Sequence, residues 1–138
     1  MSTAIVLGAS FAGLAAAATL RKHFDEVLIL ERDTSDIERH GAPQQKQLHG
    51  LLNRGLCVMD KIAPGYRKNL IRAGAVETQS GRDWFAFFKY GKLKRHNSKM
   101  KIICASRALL ERTFRETVLQ QPDIKIEYNR VVKDIVLS

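Results

Sequence analysis

Residues 4–17 read AIVLGASFAGLAAA, and this stretch contains the strand, turn and helix that decide the fold. Ala4–Leu7 is a short apolar run typical of a buried parallel strand, and an alanine-rich helix is predicted from Ala12 to about His23. Val27–Glu31 is a second apolar run and predicts a second buried strand. Two buried strands joined by a helix form a βαβ unit, whose crossover should be right-handed.

The turn Gly8–Gly13 occupies the position of a dinucleotide-binding fingerprint, with Ser10 in place of the middle glycine. Gly8 allows the tight turn, Gly13 allows close packing of helix on strand, and the helix N–H groups would face a pyrophosphate. Glu31 lies 18 residues after Gly13, where an acid accepts a hydrogen bond from a ribose hydroxyl. A P-loop is excluded because Leu14-Ala15 follow the last glycine, where a P-loop has Lys and Ser/Thr. The alternative is an ordinary βαβ crossover whose glycines serve packing alone.

The rest of the chain continues the α/β pattern. The polar segment Arg32–Gln47 reads as a long loop, which favours FAD over NAD because an NAD-type domain would continue into another helix and strand. The remaining predicted elements are helices at Leu48–Ile62, Tyr66–Ala73 and Arg107–Gln120 (capped by Ser106), hairpin arms at Trp84–Tyr90 and Lys92–Arg95, and strands at Lys101–Ala105, Ile124–Tyr128 and Val131–Leu137.

The composition is that of a globular chain with a basic surface. The 138 residues carry a net charge of +9, which favours anionic partners. Thr3–Leu20 has no charge, but its β-branched start, its small-residue continuation and the lack of a preceding cation argue against a membrane span or a signal peptide. Two cysteines cannot form a disulfide framework, and the scattered histidines suggest no metal site. We therefore expect a cytoplasmic protein without a metal.

The sequence resembles the N-terminal part of FAD-dependent monooxygenases of the aromatic-hydroxylase and epoxidase kind. The resemblance rests on residues 4–17, 27–33 and 106–111, and above all on Gly41-Ala42-Pro43-Gln44 and on Leu48-His49-Gly50-Leu51-Leu52-Asn53-Arg54-Gly55. It departs from the pattern at Gln45, which replaces a glycine, and at Gln47, which replaces the first of two histidines. The later Gly-Asp motif of such enzymes has no match here.

The resemblance implies an incomplete, Rossmann-like three-layer FAD/NAD(P)-binding fold over residues 1–138. Its parallel sheet would hold the strands at 3–7, 27–31 and 124–137, and an antiparallel hairpin insertion at 75–105 would belong to a crossover or substrate sheet. It also implies oxygen transfer to a small organic substrate through a flavin hydroperoxide, with NADH or NADPH as reductant. The implied cofactor-binding residues are Gly8, Ser10, Phe11, Ala12, Gly13, Glu31, Arg32 near the adenine, Arg107 near the FAD phosphates, and Val132 at the adenine. No catalytic residue is identified, although His49 is a weak candidate.

Two other readings stay open. One is a different FAD-dependent oxidoreductase, such as a reductase, dehydrogenase or halogenase. The other is a non-catalytic nucleotide-binding remnant, or a single-stranded nucleic acid binder, because six cations between Lys89 and Lys101 follow the aromatic run Trp84–Tyr90. We favour a hairpin with one buried aromatic face, and expect neither nucleic acid nor membrane as partner. The chain alone should be inactive, and should self-associate or require a complementary C-terminal fragment.

Overall fold

A computed structural model describes residues 1–34, 47–84 and 86–136. The elements within these ranges are eight strands, which form three sheets, and four helices. In chain order they are β1 (Thr3–Leu7), α1 (Phe11–Leu20), β2 (Glu26–Leu30), β3 (Leu48–Leu52), α2 (Asn53–Ile62), α3 (Tyr66–Arg72), β4 (Val76–Gln79), β5 (Phe87–Phe88), β6 (Gly91–Lys92), β7 (Lys101–Ser106), α4 (Arg107–Val118) and β8 (Ile124–Glu127).

A parallel sheet of order β1–β2–β8 carries the turn at its carboxyl end. Ile5 lies opposite Leu28, which lies opposite Lys125. The predicted strands at 4–7, 27–31 and 124–128 are thus confirmed to within a residue or two, and the helix predicted at 12–23 is α1.

The prediction of a final strand at Val131–Leu137 is wrong over residues 131–136; Leu137 lies outside the described residues. Asn129 adopts a left-handed conformation with φ of 59°, which ends the extended backbone after β8. Arg130 N–H then donates to Glu31 O at 2.9 Å, so the chain crosses the end of β2 instead of pairing beside it. Alternating apolar residues do not make a strand where no neighbouring strand offers a ladder of hydrogen bonds.

The predicted helix at Leu48–Ile62 is wrong over its first five residues. Leu48–Leu52 is the strand β3, and only Asn53–Ile62 is helical. β3 pairs antiparallel with β7, with Gly50 opposite Cys104, and β4 pairs on the other side of β7. Leucines at helical spacing suggested one continuous helix, but the ladder to β7 decides the conformation of this segment.

The predicted hairpin forms, but in a shorter version. Phe87 lies opposite Lys92 and Phe88 opposite Gly91, so each arm has two residues. The prediction of a buried aromatic face is wrong for these arms, since Phe87 is 74% and Phe88 63% exposed. Phe85 and the motif Gly41–Gln44 lie outside the described residues.

Helix α4 follows β7 and precedes β8, so it connects the two larger sheets, and its Phe114 side chain is buried in the core. Phe114 packs edge-on against Tyr66 with ring centroids 5.0 Å apart, and against Phe11 at 5.5 Å. The Tyr66 hydroxyl donates to Leu110 O at 3.0 Å, and burial raises the pKa of Tyr66. The predicted cap of α4 is confirmed, because Ser106 Oγ accepts from Leu109 N at 3.2 Å. The described ranges contain no helix with the length and apolar character needed to cross a membrane.

Candidate dinucleotide-binding site

Two glycines give the turn between β1 and α1 its shape. Gly8 has φ of +91°, a backbone conformation that residues other than glycine rarely adopt. A Cβ on Gly13 would lie 1.9 Å from Gly8 O, so helix and turn touch backbone to backbone. Gly8 N–H donates to Leu30 O at 2.8 Å and ties the turn to β2. The roles expected for both glycines in packing follow directly from this geometry.

Glu31, just beyond β2, bonds to the backbone of the turn. Its side chain accepts hydrogen bonds from Ala9 N–H at 2.6 Å and from Asp33 N–H at 3.1 Å, and the residue is only 5% exposed. The buried carboxylate is thus compensated by backbone donors. Sequence spacing suggested a bond to a ribose hydroxyl; the observed bonds go to the protein's own backbone, and the ribose contact stays a prediction.

The first turn of α1 presents backbone N–H groups that have no acceptor within the helix. The first helical hydrogen bond runs from Leu14 N to Ser10 O at 2.9 Å, so the N–H groups of Phe11, Ala12 and Gly13 precede the ladder. No acidic side chain lies in this turn. Ser10 has φ of −77°, so serine in place of the middle glycine carries no backbone strain. This end of the helix is suited to an anion.

One cavity of about 550 Å³ opens at the carboxyl end of the parallel sheet. It brings together the predicted residues Gly8, Glu31, Arg32 and Val132, which lie far apart in the sequence. Arg130, Lys133 and Asp134 also line it, so three cationic and two anionic side chains surround the cavity. This cavity therefore presents charges of both signs next to the turn.

A second cavity of about 430 Å³ is lined by residues of α1, β3, α2 and α4. It collects the predicted residues Phe11, Ala12, Arg107 and His49, and its other lining residues are mostly apolar. The Arg107 guanidinium lies 5.1 Å from the centre of the Phe11 ring, and 3.8 Å separates its Nε from a Glu111 carboxylate oxygen. His49 Nδ1 lies 3.0 Å from Gln47 O. The predicted site residues thus divide between two cavities, and Ser10 and Gly13 in the turn line neither of them.

Two arginines at the turn were missed by sequence reasoning. Arg115 Nη2 donates to Ala9 O at 3.3 Å across 106 residues of chain, and Arg130 N–H bonds Glu31 O. One signal pointed to Arg115: with Arg107 and Glu111 it forms an i, i+4, i+8 series on one helix, and both ion pairs of this series span 3.8 Å. Over the described part of the chain, no group of three His, Cys, Asp or Glu residues is arranged to hold a metal ion.

Known proteins resemble this chain in sequence and in fold. No profile of a known protein family matches the sequence. Protein Rv3254 of Mycobacterium tuberculosis strain H37Rv is 31% identical over 130 residues, which are 89% of this chain and 27% of that protein.

Solved structures of flavoproteins and oxygenases share the fold. A 2-methyl-3-hydroxypyridine-5-carboxylic acid oxygenase mutant superposes with a TM-score of 0.66 at 19% identity, over 94% of this chain and 32% of that one. CtdE in complex with FAD gives 0.57 at 18%, over 94% and 30%. A flavoprotein/dehydrogenase from Cytophaga hutchinsonii gives 0.65 at 20%, over 100% and 32%. The chain therefore has the mixed α/β fold of one part of these proteins and spans about a third of their length.

Proposed function

We propose that this chain is the FAD-binding N-terminal portion of a flavin-dependent monooxygenase with a Rossmann-like three-layer architecture. The observation that carries the proposal is the turn itself. At the turn, Gly8 has a positive φ, and only glycine at position 13 permits the backbone contact with Gly8. The first N–H groups of α1 precede its hydrogen-bond ladder, and residues of the turn and of α1 line a cavity with charges of both signs and a mostly apolar cavity. This arrangement fits a long ligand with a charged middle and two unlike ends.

The residues present fit FAD in a definite order. The N–H groups of Phe11, Ala12 and Gly13 would hold the pyrophosphate, and the cavity at Glu31, Arg32 and Val132 would take the adenosine end. Arg107 would contribute a positive charge beside the same helix end. FAD, when bound, supplies the redox and oxygen chemistry, and the residues of this chain bind and orient it.

Neighbouring structures support FAD over NAD, because CtdE was solved with FAD and another neighbour is named a flavoprotein. A nicotinamide reductant and a small organic substrate belong to the same proposal. Since the chain spans about a third of such proteins, we further propose that turnover requires a complementary polypeptide, supplied as a C-terminal segment or as a separate fragment.

Titration with FAD, followed by flavin fluorescence, tests the binding proposal. We expect saturable binding of FAD and no binding of NAD by the purified chain. Glu31→Ala should abolish the binding, because Ala9 N–H then loses its acceptor and the turn loses its shape. Glu26→Ala is the matched control, since Glu26 begins the same strand at its far end and its carboxylate pairs with the exposed Lys125.

The outcome is decisive when circular dichroism accompanies each titration. Folded wild-type protein that binds neither dinucleotide would refute the proposal and leave the glycines a packing role alone. Equal loss of binding in both variants would show that Glu31 has no special place in the site.

A second candidate is another FAD-dependent oxidoreductase, such as a dehydrogenase. The similarity to the Cytophaga hutchinsonii flavoprotein/dehydrogenase, which covers the whole chain, favours it as strongly as the oxygenases do. The two candidates share the binding site described above. They separate only in the assembled protein, where a monooxygenase consumes oxygen and transfers one oxygen atom to its substrate.

A further inference from the structure

We infer that Arg115 is the positioning residue that aims the Ser10 N–H group at the ligand, and that it thereby sets the affinity of the turn for a pyrophosphate. This inference rests on the proposed function and extends it to a residue on α4, far from the glycine turn in sequence. The contact that carries it is the hydrogen bond from Arg115 Nη2 to Ala9 O at 3.3 Å.

The N–H and the carbonyl of Ala9 each form a hydrogen bond to a charged side chain, and the two side chains have opposite charges. Its N–H donates to the Glu31 carboxylate at 2.6 Å, and its carbonyl accepts from the Arg115 guanidinium. Ala9 is completely buried, so no water competes for either group. Charge-assisted hydrogen bonds to a buried peptide are stronger than neutral ones. Glu31 and Arg115, which lie outside the turn, therefore fix the orientation of the two peptide groups on either side of Ala9.

Because the peptide bond is planar, fixing the direction of one polar group of a peptide also fixes the direction of the other. The C=O and N–H of one trans peptide point in opposite directions. Holding Ala9 N–H towards Glu31 sends the Gly8 carbonyl the other way, against Gly13. In the same manner, holding the Ala9 carbonyl towards Arg115 sends the Ser10 N–H away from α4. That N–H makes no hydrogen bond to any described residue, and it lies one residue before the unpaired N–H groups of α1.

Electrostatics act in the same sense. The Arg115 side chain is only 16% exposed, and its Nη2 is 3.8 Å from a Glu111 carboxylate oxygen. Its buried Nε has no hydrogen-bond partner within the described residues. Arg107 lies 3.8 Å from the same carboxyl group, so the three side chains carry a net charge of +1 near the end of α1, and solvent screens this charge less than it would at the surface. A ligand with a pyrophosphate gains from both effects, and adenosine gains from neither.

The ratio of ADP affinity to adenosine affinity tests this inference, because loss of the fold alone would weaken both ligands. We would measure both affinities by NMR titration of the full chain for wild type, Arg115→Met, Arg115→Lys and Arg112→Met. Arg112 is the matched control: it lies on the same helix, is 44% exposed, and is 3.9 Å from Glu116.

We expect Arg115→Met to lower the ratio of ADP affinity to adenosine affinity about tenfold, to shift the Ser10 amide signal of the free protein, and to leave adenosine binding unchanged. Lysine keeps the charge but lacks the planar donor fork, so Arg115→Lys should show the same pattern to a smaller degree.

The outcomes separate the inference from the proposed function. If wild type binds ADP, but both folded Arg115 variants keep the ratio of Arg112→Met, the inference is overturned and the binding site stands. If Arg115→Met does not fold, the ratio in Arg115→Lys decides in the same way. If folded wild type prefers ADP no more than adenosine, the dinucleotide site and the inference both fail.

Discussion

At the scale of single residues, Gly13 packs directly against the backbone of Gly8. A Cβ at position 13 would lie 1.9 Å from a backbone oxygen that cannot rotate away. We expect Gly13→Ala to lower the free energy of unfolding by about 2 kcal/mol or more, and to abolish FAD binding, because α1 must move off the turn. Urea denaturation and the FAD titration measure the two effects.

Gly55→Ala is the control for this prediction. Gly55 also lies in a helix, but its Cβ would meet only a Leu51 methyl group at 3.4 Å. There alanine should leave the free energy of unfolding unchanged or raise it by up to about 1 kcal/mol, since alanine favours helix. Equal stability of the two variants would contradict the backbone contact at Gly13.

The residues of the site differ in how far the sequence could predict them. Gly8, Gly13 and Glu31 were predicted because the fingerprint is local and its spacing is fixed by one βαβ unit. Arg115 was not, because its contact with Ala9 depends on how α4 packs across 106 residues of chain. Spacing also could not tell that the Glu31 carboxylate accepts from Ala9 N–H, since a ribose hydroxyl and a backbone amide are both hydrogen-bond donors.

At the scale of elements, Glu77 on β4 joins two neighbours. It accepts from Lys101 on β7 at 2.8 Å and forms an ion pair with Arg67 on α3. The hydrogen bond from Lys101 is the main cause, and that from Arg67 the second, of a Glu77 pKa below its ordinary value of 4.5. A carboxylate whose pKa is lower in the folded state than in the unfolded state stabilises the protein at pH values above its unfolded-state pKa. This contribution is lost as the pH falls through the folded-state pKa.

We therefore expect Glu77→Gln to lower the free energy of unfolding by about 0.5–1 kcal/mol at pH 7, since the side chain is 25% exposed. The difference from wild type should shrink steadily as the pH is lowered below 4.5. Urea denaturation at pH 7, 5 and 3 measures it. Glu116→Gln, at a 65% exposed side chain with one ion pair, is the control and should change stability less. A difference that does not depend on pH would rule out the carboxylate charge as its cause.

The element scale also explains where sequence reasoning failed. The helices α1, α3 and α4 were predicted because their apolar spacing and caps are local signals, as with the Ser106 cap. β3 was taken for a helix because leucines at 48, 51, 52 and 56 also suit a helical stripe. Its partners on β7 lie 50 to 58 residues further along the chain, and only that pairing distinguishes a strand from a helix here.

At the scale of the whole molecule, the parallel sheet is covered unevenly. Ala4 and Val6 on β1 are buried on the face towards α1, whereas Ile5 and Leu7 on the other face are 61% and 53% exposed. Within the described residues β1 pairs only with β2, so its outer edge carries unpaired backbone groups. Parallel sheets are normally covered on both faces, and open apolar edges promote association.

This geometry leads to the prediction that the isolated chain self-associates through β1. Sedimentation velocity should show species heavier than a 15.6 kDa monomer, increasing with concentration, and an apolar dye should bind. Ile5→Lys should shift the distribution towards monomer, because a lysine on an edge strand resists pairing with a second chain. Ile71→Lys, at a 46% exposed position on α3, should not. A monodisperse monomer that binds no dye and unfolds in one sharp transition would show that the open face needs no partner, and would remove the main physical reason to expect a complementary fragment.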